Sequence, residues 1–153
     1  MSEMLKSLRK RVELRIAYDC FIQDFQPTQT VTFNFGPWVS CPVAHYRMKG
    51  YACRIERIAN GRNWHRLYEP RLAIVGFPEH LDKNPHWHCV VRAPGRLSAA
   101  IDVCSAQIWD QLVPAGQIHV ADPRTLEKIA SYFTKELTIP GRTDEVFVYA
   151  KDI

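Results

Sequence analysis

The segment Pro85-His86-Trp87-His88-Cys89-Val90-Val91-Arg92 places two histidines one residue apart at the head of an apolar run. Along a β-strand, side chains at i and i+2 share a face, so both imidazoles project together, with Val90 and Arg92 continuing their side. Trp87, Cys89 and Val91 take the opposite side, which is expected to meet the core. Two imidazoles held side by side can grip one metal ion and leave other coordination positions open to substrate oxygens. Burying both without partners would be costly, which favours a ligand role over a core one. A third ligand is expected just upstream, where Glu79, His80 and Asp82 occur. Glu79 closes the preceding strand and offers hard oxygen; His80 is the alternative.

A second constellation is Ala130-Ser131-Tyr132-Phe133-Thr134-Lys135-Glu136-Leu137. An α-helix turns by about 100° per residue, which sets Lys135 about 60° and Lys128 about 40° to one side of Tyr132. Leu126, Ile129, Phe133 and Leu137 span about 60–140° on the other side. A phenol with a pKa of about 10 is a poor nucleophile at neutral pH. Neighbouring ammonium groups favour the phenolate and offset charge on a phosphate. Taken alone, Tyr132 reads equally well as a boundary aromatic beside solvated lysines. Facing a sheet-borne metal, it becomes a candidate nucleophile on a phosphodiester polarised from the other side.

The elements that must position these groups follow from hydrophobic periodicity. Met4, Leu5, Leu8, Val12 and Ile16 predict an amphipathic helix over 3–18. Val31, Phe33 and Phe35 alternate with Thr30, Thr32 and Asn34, a half-buried strand over 29–36 closed by Gly36-Pro37. Ser40 and Pro42 open a helix that Asn60-Gly61 ends. The run 71–77, bounded by Pro70 and Pro78, predicts a buried strand that pairs antiparallel with 86–92. A helix over 97–113 and a short strand over 117–122 follow. Asp122 and Pro123 then predict the N-cap and first position of a helix reaching 137. A last strand occupies 145–150. Helices inserted between the strands of one sheet give an α+β fold with a central antiparallel sheet.

The 153 residues suit one domain, 1–153. Lys and Arg exceed Asp and Glu by 20 to 16, a mild excess compatible with a polyanionic partner. The five cysteines are widely spaced and form no CxxC pair, which argues against a disulfide framework or a zinc knuckle. Most of them read as small buried hydrophobes of a reducing, cytoplasmic compartment. Residues 1–18 lack the apolar stretch of a secretory signal, and no run is long enough to span a bilayer, so no membrane partner is expected.

In order and placement, three blocks resemble the HUH endonucleases of rolling-circle replication initiators. Thr30–Gly36 is similar to the family's first strand. His86-Trp87-His88 fits its histidine–hydrophobic–histidine metal motif, with Glu79 near the place of the upstream acidic ligand. Tyr132 with Lys135 fits its tyrosine-helix motif, and Glu136 leaves no second tyrosine one turn on. The resemblance spans about 29–137 and implies an RRM- or ferredoxin-like HUH fold. It implies a Mg²⁺- or Mn²⁺-dependent nickase and strand transferase for single-stranded DNA, recognising an origin or hairpin. Tyr132 would take a 5′-phosphate and leave a free 3′-OH, with Lys135 beside it. Glu79, His86 and His88 would hold the metal. No GxxxxGK[ST] phosphate loop occurs, so a helicase motor would come from the host. Relaxases and small transposases of the same superfamily are alternatives, as is a non-catalytic single-strand-binding module.

Further strand contacts are expected from Arg92 and Lys128 on phosphates. Arg62, Trp64, His65, Arg66, Tyr68 and Arg71 interleave charge and aromatics and could form a binding rim. An ordinary polar connection packed on the sheet edge accounts for that stretch equally well.

Overall fold

Alternation of apolar and polar residues builds the strands of this chain and decides which side each helix covers. The computed structural model describes residues 3–68, 71–123 and 126–150. Along it run α1 (Glu3–Phe25), β1 (Gln29–Asn34), α2 (Cys41–Asn60), β2 (Ala73–Glu79), β3 (His86–Arg92), α3 (Arg96–Leu112), β4 (Gln117–Ala121), α4 (Leu126–Phe133) and β5 (Phe147–Tyr149). The strand order is β4-β1-β3-β2-β5, and every pairing is antiparallel. The protein is α+β, an antiparallel sheet with inserted helices, and is compatible with a ferredoxin-like arrangement. No helix among the described residues is long and apolar enough to cross a membrane.

On one side of the sheet, Val31, Phe33, Trp87, Cys89, Val91 and Ile74 pack against Met48, Tyr51 and Ile55 of α2 and Ile101, Ile108 and Trp109 of α3. This is the side that Trp87 and Cys89 were expected to face. The histidine side departs from expectation. It carries a second apolar cluster in which Ala73, Val75, Phe77 and Val90 meet Ile22 and Phe25 of α1, together with Ala130, Phe133 and Leu137. β3 is therefore buried on both faces along most of its length. The polar residues of its histidine face stand at the two ends, His86 and His88 at one and Arg92 at the other.

That second cluster also explains why α1 outruns the expected limit at residue 18. Tyr18 meets Phe77 edge-on at 5.4 Å, and Ile22 and Phe25 continue the same face onto the sheet. Met4, Leu8, Val12 and Ile16, which suggested the helix, lie instead on its exposed side.

The tyrosine helix is shorter than 122–137. Its last α-type bond runs from Thr134 N to Ala130 O, and the chain then tightens into i→i+3 turns at Thr134–Leu137 and Glu136–Ile139. The Thr134 hydroxyl donates to the Ala130 carbonyl, which competes with continued helix. Lys135 therefore sits in the turn after α4 rather than on it. The residues joining Pro123 to Leu126, and Pro70, lie outside the described residues.

Gly76 makes a notch in β2 where the sheet meets Cys89. A Cβ there would stand 2.7 Å from Cys89 Sγ and 3.5 Å from Phe147. Gly76→Ala is expected to lower the unfolding free energy by about 1–3 kcal/mol in urea titrations, as overpacked core sites do. Adding Cys89→Ala should recover part of that loss. An unchanged midpoint in the single variant would mean that the notch is slack.

Candidate metal centre and the facing tyrosine

The β2–β3 register sets Glu79 opposite His86 and Phe77 opposite His88. Because facing residues of paired strands project to the same side, Glu79 and both imidazoles share one face. On the other flank of β3, Asn34 pairs with His86 and Thr32 with His88. The polar half of the Thr30–Asn34 alternation is thus the continuation of the histidine face.

The ligand atoms of Glu79, His86 and His88 all lie within 4.8 Å of one another. Glu79 Oε2 is 2.8 Å from His86 Nε2 and 2.5 Å from His88 Nε2. The outer nitrogens are also held. His86 Nδ1 is 3.0 Å from the Asn84 carbonyl oxygen, and His88 Nδ1 is 3.1 Å from Thr32 Oγ1. Such contacts orient imidazoles that ligate metals. The Asn84 carbonyl can only accept, so His86 Nδ1 carries a proton. Burial lowers the pKa of His88, which favours the neutral, ligating form. Burial alone would raise the pKa of Glu79, but hydrogen bonds from Lys135, His88 and His86 prevail and hold it at about 2. Two imidazole nitrogens and one ionised carboxylate fit a divalent cation with open positions. Glu79, His86 and His88 form a cluster that can hold a metal ion.

His80 stands outside this trio, but with Glu79 and Glu136 it forms a second group whose ligand atoms lie within 4.8 Å of one another and could hold an ion. It adopts φ 52°, and its two ring nitrogens face different carboxylates: Nε2 lies 3.4 Å from Glu79 Oε1 and Nδ1 lies 3.3 Å from Glu136 Oε1. Its backbone N–H donates to Glu136 Oε2 at 3.0 Å. His80 is a bridge from the strand end to the turn after α4. Asp82 pairs with Arg142 at 3.0 Å and takes no part.

Tyr132 stands at this cluster. Its ring centroid lies 5.0 Å from that of His88, edge-on, while Phe133 stacks on His88 at 5.0 Å. Tyr132 is 51% exposed, so a substrate can reach it. The Lys135 ammonium lies 4.2 Å from the centre of the Tyr132 ring and pairs with Glu79 Oε1. The pKa of Lys135 is raised, chiefly by its hydrogen bond to Glu79, so it stays cationic.

Other expected contacts lie elsewhere. Arg92 is on the histidine face but four residues beyond His88, about 13 Å along the strand. Its guanidinium covers the Phe25 ring at 4.9 Å. Strand length, not facing, removes it from the site. Lys128 is exposed on α4, one turn before Tyr132. In the stretch 61–71, Arg71 stacks on Trp64 and pairs with the fully buried Glu56, while Arg62, His65, Arg66 and Tyr68 are exposed on the surface. Glu69 lies outside the described residues. Sequence reasoning missed Thr32, Asn84 and Glu136. Thr32 was legible as the polar phase of β1; Asn84 acts through its backbone and Glu136 through a turn, and neither leaves a pattern.

Comparison of the chain with protein-family models, curated proteins and solved structures gave no match.

Two outcomes test the cluster. A saturating divalent cation should raise the melting temperature of the wild type, by linkage, and leave His86→Ala unmoved. Equal shifts in both would place the ion elsewhere. Without added metal, the Glu79 carboxyl titrates far below its ordinary 4.5. The unfolded chain then takes up the proton first as pH falls, so the stability from this group is complete above about 4.3 and lost toward 2. Glu79→Gln should flatten that part of the stability–pH curve.

Proposed function

We propose that the protein is a metal-dependent single-stranded DNA endonuclease and strand transferase acting through a phosphotyrosine link, in the manner of the HUH replication initiators it resembles. The observation that carries this reading is the meeting of Tyr132, His88, Lys135 and Glu79 at one end of β3. A tyrosine that served only packing would have no need of an ammonium on its ring and an ionised ligand cluster beside it.

In this reading Tyr132 is the nucleophile. Its phenol oxygen forms a bond to phosphorus while the bond from phosphorus to the 3′ oxygen breaks. The phenolic proton passes to solvent, and the departing 3′ oxygen takes one up. Lys135 offsets charge gathering on the phosphate. Glu79, His86 and His88 would hold Mg²⁺ or Mn²⁺, which supplies Lewis-acid polarisation of the scissile phosphate when bound. Asn84 and Thr32 fix the imidazoles, and Phe133 holds the His88 ring flat. Because the phosphodiester energy is kept in the tyrosine ester, a 3′-OH can reverse the step and rejoin strands. A replication initiator working with a host helicase is the reading preferred within that superfamily, ahead of a relaxase or transposase. The opposing reading is a non-catalytic binder of single strands, which has no use for a phenol set against a metal-capable cluster.

Incubation with a pool of single-stranded oligonucleotides, some with hairpins, and Mn²⁺ should give a protein–DNA adduct on a denaturing gel. Tyr132→Phe should abolish the adduct and leave binding within about twofold, since it removes only the attacking oxygen. An adduct that survives this substitution would assign the nucleophile wrongly. Lys135→Ala is expected to slow adduct formation by about 10²-fold or more, the usual scale for loss of one electrostatic stabiliser.

A further inference from the structure

A cavity of about 360 Å³ opens between α1 and the end of α4 with the turn that follows it. Its polar lining comes from Arg11, Arg15, Ser131, Thr134, Lys135 and Thr138, and no Asp or Glu borders it among the described residues. Three cations thus line a concave space that holds no carboxylate of its own, Lys135 being paired with Glu79 outside it. Of the other α1 cations, Lys6 pairs with Glu3 at 3.0 Å and Arg9 with Glu13 at 2.8 Å, while Lys10 has no ion pair among the described residues. Arg15 instead spans to α4 and donates to Ser131 Oγ at 2.6 Å. Arg11 has no ion pair or hydrogen bond among the described residues.

We propose that this cavity is a phosphate-binding subsite for the nucleic-acid backbone on one side of the scissile link. The proposal rests on the nicking reading above and extends it to residues of α1. Guanidinium groups present a planar fork of donors suited to phosphate oxygens, and the neighbouring hydroxyls supply further donors. Lys135 belongs both to this cavity and to the ring of Tyr132, and Ser131 precedes Tyr132 in the chain. A phosphate held here would share Lys135 with the ring of Tyr132. The volume, about that of a dozen waters, admits a phosphodiester with part of its sugar.

The test uses the full chain and two series of labelled oligothymidylates, one with a fixed 5′ end and one with a fixed 3′ end, measured by fluorescence anisotropy. Arg11→Glu should weaken binding of the longer members of one series about tenfold at ~100 mM salt, and Arg11→Ala should lower the salt slope by roughly 0.7, as for one lost phosphate contact on a single strand. Lys49→Glu, the same charge change on exposed α2, should do neither. Equal weakening by Lys49→Glu and Arg11→Glu, or none by either, overturns the subsite. Adduct formation is read in parallel at saturating DNA, where Arg11→Glu should retain it. If no protein forms an adduct yet Arg11→Glu alone weakens binding, the nicking reading fails and the subsite stands as a site for backbone phosphate.

Discussion

One buried carboxylate ties the sheet to the tyrosine. Glu79 gives one oxygen to both imidazoles and the other to Lys135 and His80. Its burial would by itself disfavour charge, and only the surrounding donors keep it ionised. The dependence runs both ways. Without Glu79, a protonated Lys135 would lose its partner and two imidazoles would face each other with nothing between them. Without those donors, the carboxyl would take up a proton and cease to attract a cation. Breaking one member of such a buried set is costly because it strands the others. The geometry of Tyr132 is therefore set less by α4 than by what this carboxylate holds.

A sheet covered on both sides explains how a polar cluster survives at this depth. On one face α2 and α3 bring the large aromatics, with Trp109 donating from its indole nitrogen to the Asn34 carbonyl at 3.1 Å. On the other, α1 and the α4 region bury Val90 and Phe77 directly beside His88. The histidines occupy the margin where that second cover ends. Apolar neighbours raise the strength of each charge interaction there, while the exposed flank of Tyr132 leaves a path for substrate.

The order of strands and helices was legible because the periods of 2 and 3.6 are written plainly in segments such as Thr30–Phe35 and 97–113. The histidine pair was legible for the same reason. The choice between Glu79 and His80 was not, because adjacent residues differ only in side, and a one-residue change of register would exchange them. The pairing of Glu79 with His86 sets Glu79 among the two imidazoles, while His80 turns toward Glu136. Arg92 shows the opposite failure: the period of 2 gives its face but says nothing of distance along the strand. Lys135 was read as helical, yet the helix stops first. It reaches Tyr132 through a turn whose i→i+3 bonds have no hydrophobic signature. The second apolar cluster was hidden because the outward residues of α1, not its buried ones, carried the visible stripe.

The hairpin of β2 and β3 contains every member of the ligand cluster, whereas the phenol arrives from a distant part of the chain. These two halves carry different loop-closure costs during folding. Glu79, His86 and His88 come together through a short turn and can be assembled while much of the polypeptide is still disordered. Tyr132 reaches them through contacts of far longer sequence separation, with β1 set between β3 and β4 and α4 laid on the sheet. A cation bound by the hairpin's three ligands would add its binding free energy to that local register, and so to the scaffold on which the long-range contacts rest.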